Sequence, residues 1–78
     1  MKVKIDTKEK FHVITPEEPI LSANMTEELK EMLLPFLETE NKNVILKLRE
    51  VKEIDKLAAE TIFNLQQSFY DKNSSFVI

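Results

Sequence analysis

The side chains able to do chemistry in this sequence are few, and their spacing assigns most of them to structure. The one histidine, His12, has no partner at His-x-x-x-His or His-Glu-x-x-His spacing and there is no Cys, so no metal-ligand set can be written around it. A structural or solvent-facing role is expected. Glu17-Glu18 and Glu27-Glu28-Glu31 cluster carboxylates, but a general acid or base needs burial or a charged neighbour to tune it, and adjacent glutamates on a helix surface normally stay solvated. Ser68, Ser74 and Ser75 stand outside any G-x-S-x-G elbow and have no base near them in sequence. Lys2, Lys4, Lys8 and Lys10 are interrupted by Asp6 and Glu9, and Arg49 is the only arginine. That pattern reads as a solvent-facing strand, not a phosphate-binding patch. Neither catalysis nor a metal or other cofactor is expected. One short charged string, Asp55-Lys56 followed by Glu60, opens a helical pattern, with Asp55 able to cap it.

Those residues must be positioned by a small molecule. The chain has 78 residues, 42% hydrophobic and 32% charged, with a net charge of −3. A chain of this size buries only about 60% of the surface its unfolded form exposes, which allows one thin core and argues against a deep enzyme cleft. The absence of cysteine removes disulfides and leaves the cytoplasm as the default compartment. No apolar segment of signal-peptide or membrane-spanning length is present, so direct membrane insertion is not expected. Glycine is absent too. A Walker A loop or a G-x-G-x-x-G turn cannot be built without it, because both bring backbone against phosphate where a Cβ would intrude. Tight turns must then use Asn or Asp, as at Asn41-Lys42-Asn43 and Asp71-Lys72-Asn73, each lying between a helical pattern and an apolar run.

Along the chain, Lys2-Val3-Lys4-Ile5-Asp6 alternates and predicts a strand with Val3 and Ile5 toward a core. After the polar turn Thr7 to Lys10, the run from Phe11 to Thr15 predicts a second, antiparallel strand, ended by Pro16 to Pro19. Asn24 with Glu27 has capping-box spacing and predicts a helix start. Met25, Leu29, Met32, Leu33, Phe36 and Leu37 mark its apolar stripe, with Pro35 loosening the last turn before an end near Glu38. Val44 to Leu48 predicts a central strand covered on both faces, and Arg49 to Glu53 a charged connection. Asp55 can cap a second helix, buried through Ala58, Ile62, Leu65 and Phe69, with Ala59, Phe63 and Tyr70 broadening the stripe. Phe76-Val77-Ile78 begins a last strand. The order is β-β-α-β-α-β, which predicts an α/β domain over residues 1–78. Its mixed four-stranded sheet has helices packed on one face and right-handed parallel crossovers.

This order and several strings resemble the STAS domain, the family of the anti-sigma factor antagonists and of sulfate-transporter tails. His12-Val13-Ile14-Thr15 and Leu21-Ser22-Ala23-Asn24 leading to Glu27-Glu28-Leu29 look like the family's second strand and first helix start. Asn43 to Leu48 is similar to its central strand, and Ser74 to Ile78 to the strand that follows its second helix. Val51-Lys52-Glu53-Ile54-Asp55 running into a helix resembles the segment in which the family places an Asp before a phosphorylatable Ser. Here the family's Asp-Ser-Ser/Thr-Gly-Leu-Gly reads Asp55-Lys56-Leu57-Ala58-Ala59-Glu60, so Lys56 stands in the phosphoacceptor position and both glycines are replaced. Family members also continue past the fourth strand into a further helix, whereas this sequence ends at Ile78.

The resemblance implies a non-enzymatic, cytoplasmic bacterial interaction module in transcription regulation. Its partner would be an anti-sigma factor kinase, met through Asn24, Asp55, Lys56, Leu57 and Glu60, without nucleic acid. The alternative it implies is an accessory subunit docked on a lipid or anion transporter; gene neighbourhood would separate the two. Two plainer readings stand beside it. Lys56 and Glu60, four residues apart, also suit an ordinary solvated ion pair, and the apolar last strand suits pairing with a second copy as a homodimer.

Overall fold

The computed structural model describes residues 1–39 and 42–78. In chain order its elements are β1 (Val3–Thr7), β2 (His12–Pro16), β3 (Ile20–Leu21), α1 (Ala23–Leu33), a 3-10 helix (Leu34–Glu38), β4 (Val44–Leu46), β5 (Glu53–Ile54), α2 (Lys56–Asp71) and β6 (Phe76–Val77). The main sheet has the order β1-β2-β4-β6. Its first pair is antiparallel with Ile5 opposite Ile14, and the other two are parallel, each closed through a helix. The mixed four-stranded α/β architecture is therefore the one the alternation and helix periodicity predict. A second, two-stranded sheet pairs β3 with β5, two segments that no alternation in the sequence marks as strands.

Strand register explains the core. Side chains alternate along a strand, so Ile14, Val44, Leu46 and Phe76 all leave the sheet on one side. There they form one buried cluster with Leu29 and Leu33 of α1 and Ile62, Leu65 and Phe69 of α2. The Phe69 and Phe76 rings meet edge to face at 5.1 Å, a preferred geometry for aromatic pairs. On the opposite side of the sheet Ile45 is only half-buried, so β4 is covered on one face and not on both as its apolar run predicts.

Other differences have equally local causes. Ile5 stays 41% exposed because β1 is the outermost strand, flanked by β2 alone. In α2 the buried positions are Ala58, Ile62, Leu65 and Phe69; one residue further on is a turn of about 100°, which carries Ala59, Phe63 and Tyr70 out to solvent instead of into the stripe. Phe63 keeps 57% of its surface. Helical bonding in α1 stops at Leu33 and tightens into the 3-10 turn, two residues before Pro35, which has no amide to donate and crowds the preceding turn. Of the two roles expected for His12, structural or solvent-facing, it takes the first: it is buried, its ring stacks on Phe36 at 4.1 Å, and Nδ1 lies 3.0 Å from the Thr7 hydroxyl oxygen.

Asparagine does the work of glycine at the end of α2. Asn73 has φ 60°, and the Ser74 and Asn73 amides donate to the Phe69 and Tyr70 carbonyls at 2.9 and 3.0 Å, a Schellman closure. Asn43 ties two loops together instead: its amide donates to the Lys10 carbonyl at 3.2 Å and its oxygen accepts from the Ser75 amide at 3.0 Å. Asn41, the first residue of that expected turn, lies outside the described residues. Left-handed backbone is costlier for a residue with an ordinary Cβ than for Asn. Asn73→Ala is accordingly expected to lower stability by about 1 kcal/mol and Asn73→Gly to preserve or raise it; urea unfolding midpoints of the two variants check this. Ser74 is buried, and its hydroxyl has no hydrogen-bond partner among the described residues. Ser74→Ala removes that unsatisfied group and should stabilise the fold by on the order of 1 kcal/mol in the same assay.

Candidate partner-binding site

Two very short strands set up the region around Asp55. Chain segments entering α1 and α2 pair in parallel, Ile20 with Glu53 and Leu21 with Ile54. The Lys52 and Glu53 amides both donate to the Pro19 carbonyl, at 2.7 and 3.0 Å, and the Asp55 amide donates to the Leu21 carbonyl at 3.2 Å. Leu21 is fully buried and anchors the pair to the core. Two residues carry no periodicity, which is why Pro16–Pro19 and Arg49–Glu53 read as a terminator and a charged connection. The available signal was the pair of apolar residues just ahead of each helix start, Ile20-Leu21 and Val51 with Ile54.

This pairing brings the two helix N-termini side by side, and Asp55 joins them. Its Oδ1 accepts from the Ala58 amide at 2.7 Å, the N-cap bond expected for α2. Its Oδ2 accepts from the Ala23 amide at 3.2 Å, in the first turn of α1. Its carbonyl takes the first helical bond of α2, from Ala59 at 3.0 Å. One negative group thus sits at the positive ends of two helix dipoles, each favourable by about 0.3–1 kcal/mol. The capping box expected at Asn24 is not formed. Ser22 occupies the N-cap position without a side-chain bond and Asn24 lies inside the first turn, exposed, because α1 takes its cap from the neighbouring segment.

Among the residues predicted to make contacts, Asp55 and Asn24 are thereby held at one end of the helix pair. Lys56 and Glu60 are exposed and line a shallow depression of about 510 Å³ with Ala59, Phe63 and Asn64. They form no ion pair with each other, the salt bridges among the described residues being Met1 with Glu28 and Lys4 with Asp6. Leu57 is 63% exposed but sits on the other flank of α2. It shares that flank with Thr61, Asn64 and Ser68, which face Glu27 and Lys30 of α1 across a groove of about 140 Å³. Two residues outside the predicted set belong to the region: Ile54 and Phe63 line an apolar hollow of about 190 Å³ with Leu48, Ala59 and Gln66.

A model of the STAS domain matches residues 2–78. The chain belongs to the STAS domain family. STAS domains are in general non-enzymatic interaction modules, and the geometry of this one supplies a solvent-facing helix start tied to the neighbouring helix by Asp55. No curated protein matches the chain. Among the described residues no group of three His, Asp or Glu side chains is placed to hold a metal ion, and no helix is long and apolar enough to cross a membrane.

If the Asp55 carboxylate joins the helices as described, Asp55→Ala removes two caps at about 1 kcal/mol each and should cost about 2 kcal/mol. Asp55→Asn keeps one acceptor oxygen and should cost about half as much. Hydrogen exchange supplies the sharper check: the Ala23 and Ala58 amides should both accelerate in Asp55→Ala, although they lie on different helices.

Proposed function

We propose that this STAS domain is a docking module of the anti-sigma-factor-antagonist kind, which receives a regulatory protein at the paired helix N-termini. The reading rests on one observation. Ile54, Leu57 and Phe63 remain 41%, 63% and 57% exposed around a helix start that Asp55 holds rigid. Apolar side chains presented on a fixed frame bind without the cost of ordering a loop. Asp55 is committed to the backbone, so its part is to position the surface. Lys56 and Glu60 supply charged contacts, Leu57 an apolar one, and Asn24 a polar one at the margin. Lys56 occupies the place of the family's phosphoacceptor serine, and an ammonium group there cannot be phosphorylated by a serine kinase. Binding by this chain is therefore constitutive at that position.

With a purified anti-sigma factor kinase from the same source as the partner, Lys56→Glu and Leu57→Ala should each weaken binding at least tenfold, about 1.4 kcal/mol. Lys8→Glu, a charge change on the distant hairpin loop, should alter it less than twofold. Equal effects of the two lysine changes in titration calorimetry would return Lys56 and Glu60 to the role of solvated surface. After incubation with the kinase and ATP, mass spectrometry should find no phosphate between residues 55 and 61; phosphate on Thr61 would overturn the constitutive reading.

A further inference from the structure

Lys56 and Glu60 stand about one turn apart on the exposed side of α2 and leave each other unpaired, the salt bridges among the described residues lying elsewhere. Their order explains it. On a helix, a glutamate four residues before a lysine pairs better than the reverse, and α2 has the reverse. Lys56 is also opposed by the helix dipole, so its charge gains little from the helix that carries it. Phe63, exposed as well, follows on the same stripe. Positions 56, 60 and 63 have the i, i+4, i+7 spacing along which one helix meets another, and they span about 10 Å of helix. With the small Ala59 between them, the three side chains line one open depression of about 510 Å³.

Along α2 the stripe reads cation, anion, aromatic. Whatever covers the depression takes both charges out of water, and a desolvated charge without a counter-charge is costly. The covering surface must therefore carry the opposite charges in matching order. On the docking function proposed above, we propose that the occupant is a helix of the partner protein. It sets a carboxylate against Lys56, a lysine or arginine one turn away against Glu60, and an apolar side chain against Phe63. The order of the charges, and not the net charge, then fixes the register, because a helix displaced by one turn brings its own cation against Lys56.

Lys56→Glu combined with Glu60→Lys keeps the net charge and inverts the order. It also places the pair in the better sequence for bonding within the helix, so the free domain should melt no lower than the parent. In titration calorimetry with the anti-sigma factor kinase, each single reversal should weaken binding at least tenfold and the double reversal at least a hundredfold. The neutral pair Lys56→Met with Glu60→Gln should bind more tightly than the double reversal, since it meets no like charge. Phe63→Ala should cost at least tenfold. A double reversal that binds as tightly as the parent, or a Phe63→Ala variant that does, would overturn the proposal while leaving docking at the helix starts in place. A parent chain that fails to bind the kinase would remove docking itself, and this contact with it.

Discussion

The arrangement of this domain depends on a carboxylate shared between two helices. Every α-helix begins with backbone amides that have no partner within the helix, and a bare terminus must find acceptors or leave them to water. The chain has few ways to do this. It has no glycine to shape a close backbone approach, and α1 and α2 each lack an acidic residue in the first turn. Asp55 answers both needs at once, because the β3–β5 pairing places the Ala23 amide within 3.2 Å of the oxygen that α2 does not use. The crossing of the two helices, and with it the buried cluster of Leu29, Leu33, Ile62 and Leu65, is fixed from this end. Asn73 closes the other end of α2.

That constraint also accounts for the surface. A carboxylate that accepts from two backbone amides is held in place by them, and the side chains left facing solvent beside it are those of its neighbours. Lys56 is the first of them. A cation at a helix N-terminus is opposed by the macrodipole by about 0.3 to 1 kcal/mol, and the adjacent Asp55 charge offsets it. The terminus can then carry a lysine without losing its helix. Ile54 on one side and Leu57 on the other stay in solvent because β5 is only two residues long and nothing packs over the first turn of α2. Rigid backbone and exposed apolar side chains have the same origin, a helix start tied down by its backbone and not by its side chains.

How much of this was legible in the sequence follows from the range of each interaction. β1, β2, the two helices and the α2 stripe Ala58, Ile62, Leu65 and Phe69 announce themselves through periodicities of two and about 3.6, and β4 and β6 through short apolar runs, all of which a single chain displays without reference to its fold. Asp55 as the cap of α2 is legible for the same reason, since cap and helix are adjacent in sequence. Its second bond is not. The Ala23 amide lies 32 residues away, and only the tertiary pairing of two dipeptides brings it close. Asn24 misled because a capping-box spacing is a local signal, and a non-local acceptor took its place. Phe63 misled in a different way: apolarity marks it for burial, but it stands one residue, about 100°, past the buried Ile62 and so lies at the rim of the hollow it shares with Ile54.

The outer strands of the sheet differ in what their side chains and backbone meet. β1 carries Lys4 and Asp6 side by side, their charged atoms 3.9 Å apart, and a strand pairing there would have to desolvate both. β6 has no charge within it. Its Phe76 side chain is fully buried in the core and Val77 is apolar, so a charged residue at the first position would empty the cluster around Phe69. The element that reaches its outward carbonyl is α2, through Gln66 at 2.8 Å. Its buried stripe fixes its rotation, which places positions 66 and 70 over the strand, where an amide and a phenol can meet a backbone oxygen. Burial of that stripe and the bond from Gln66 to the Phe76 carbonyl are thus two consequences of a single helix orientation, so a change that rotates α2 should loosen both together.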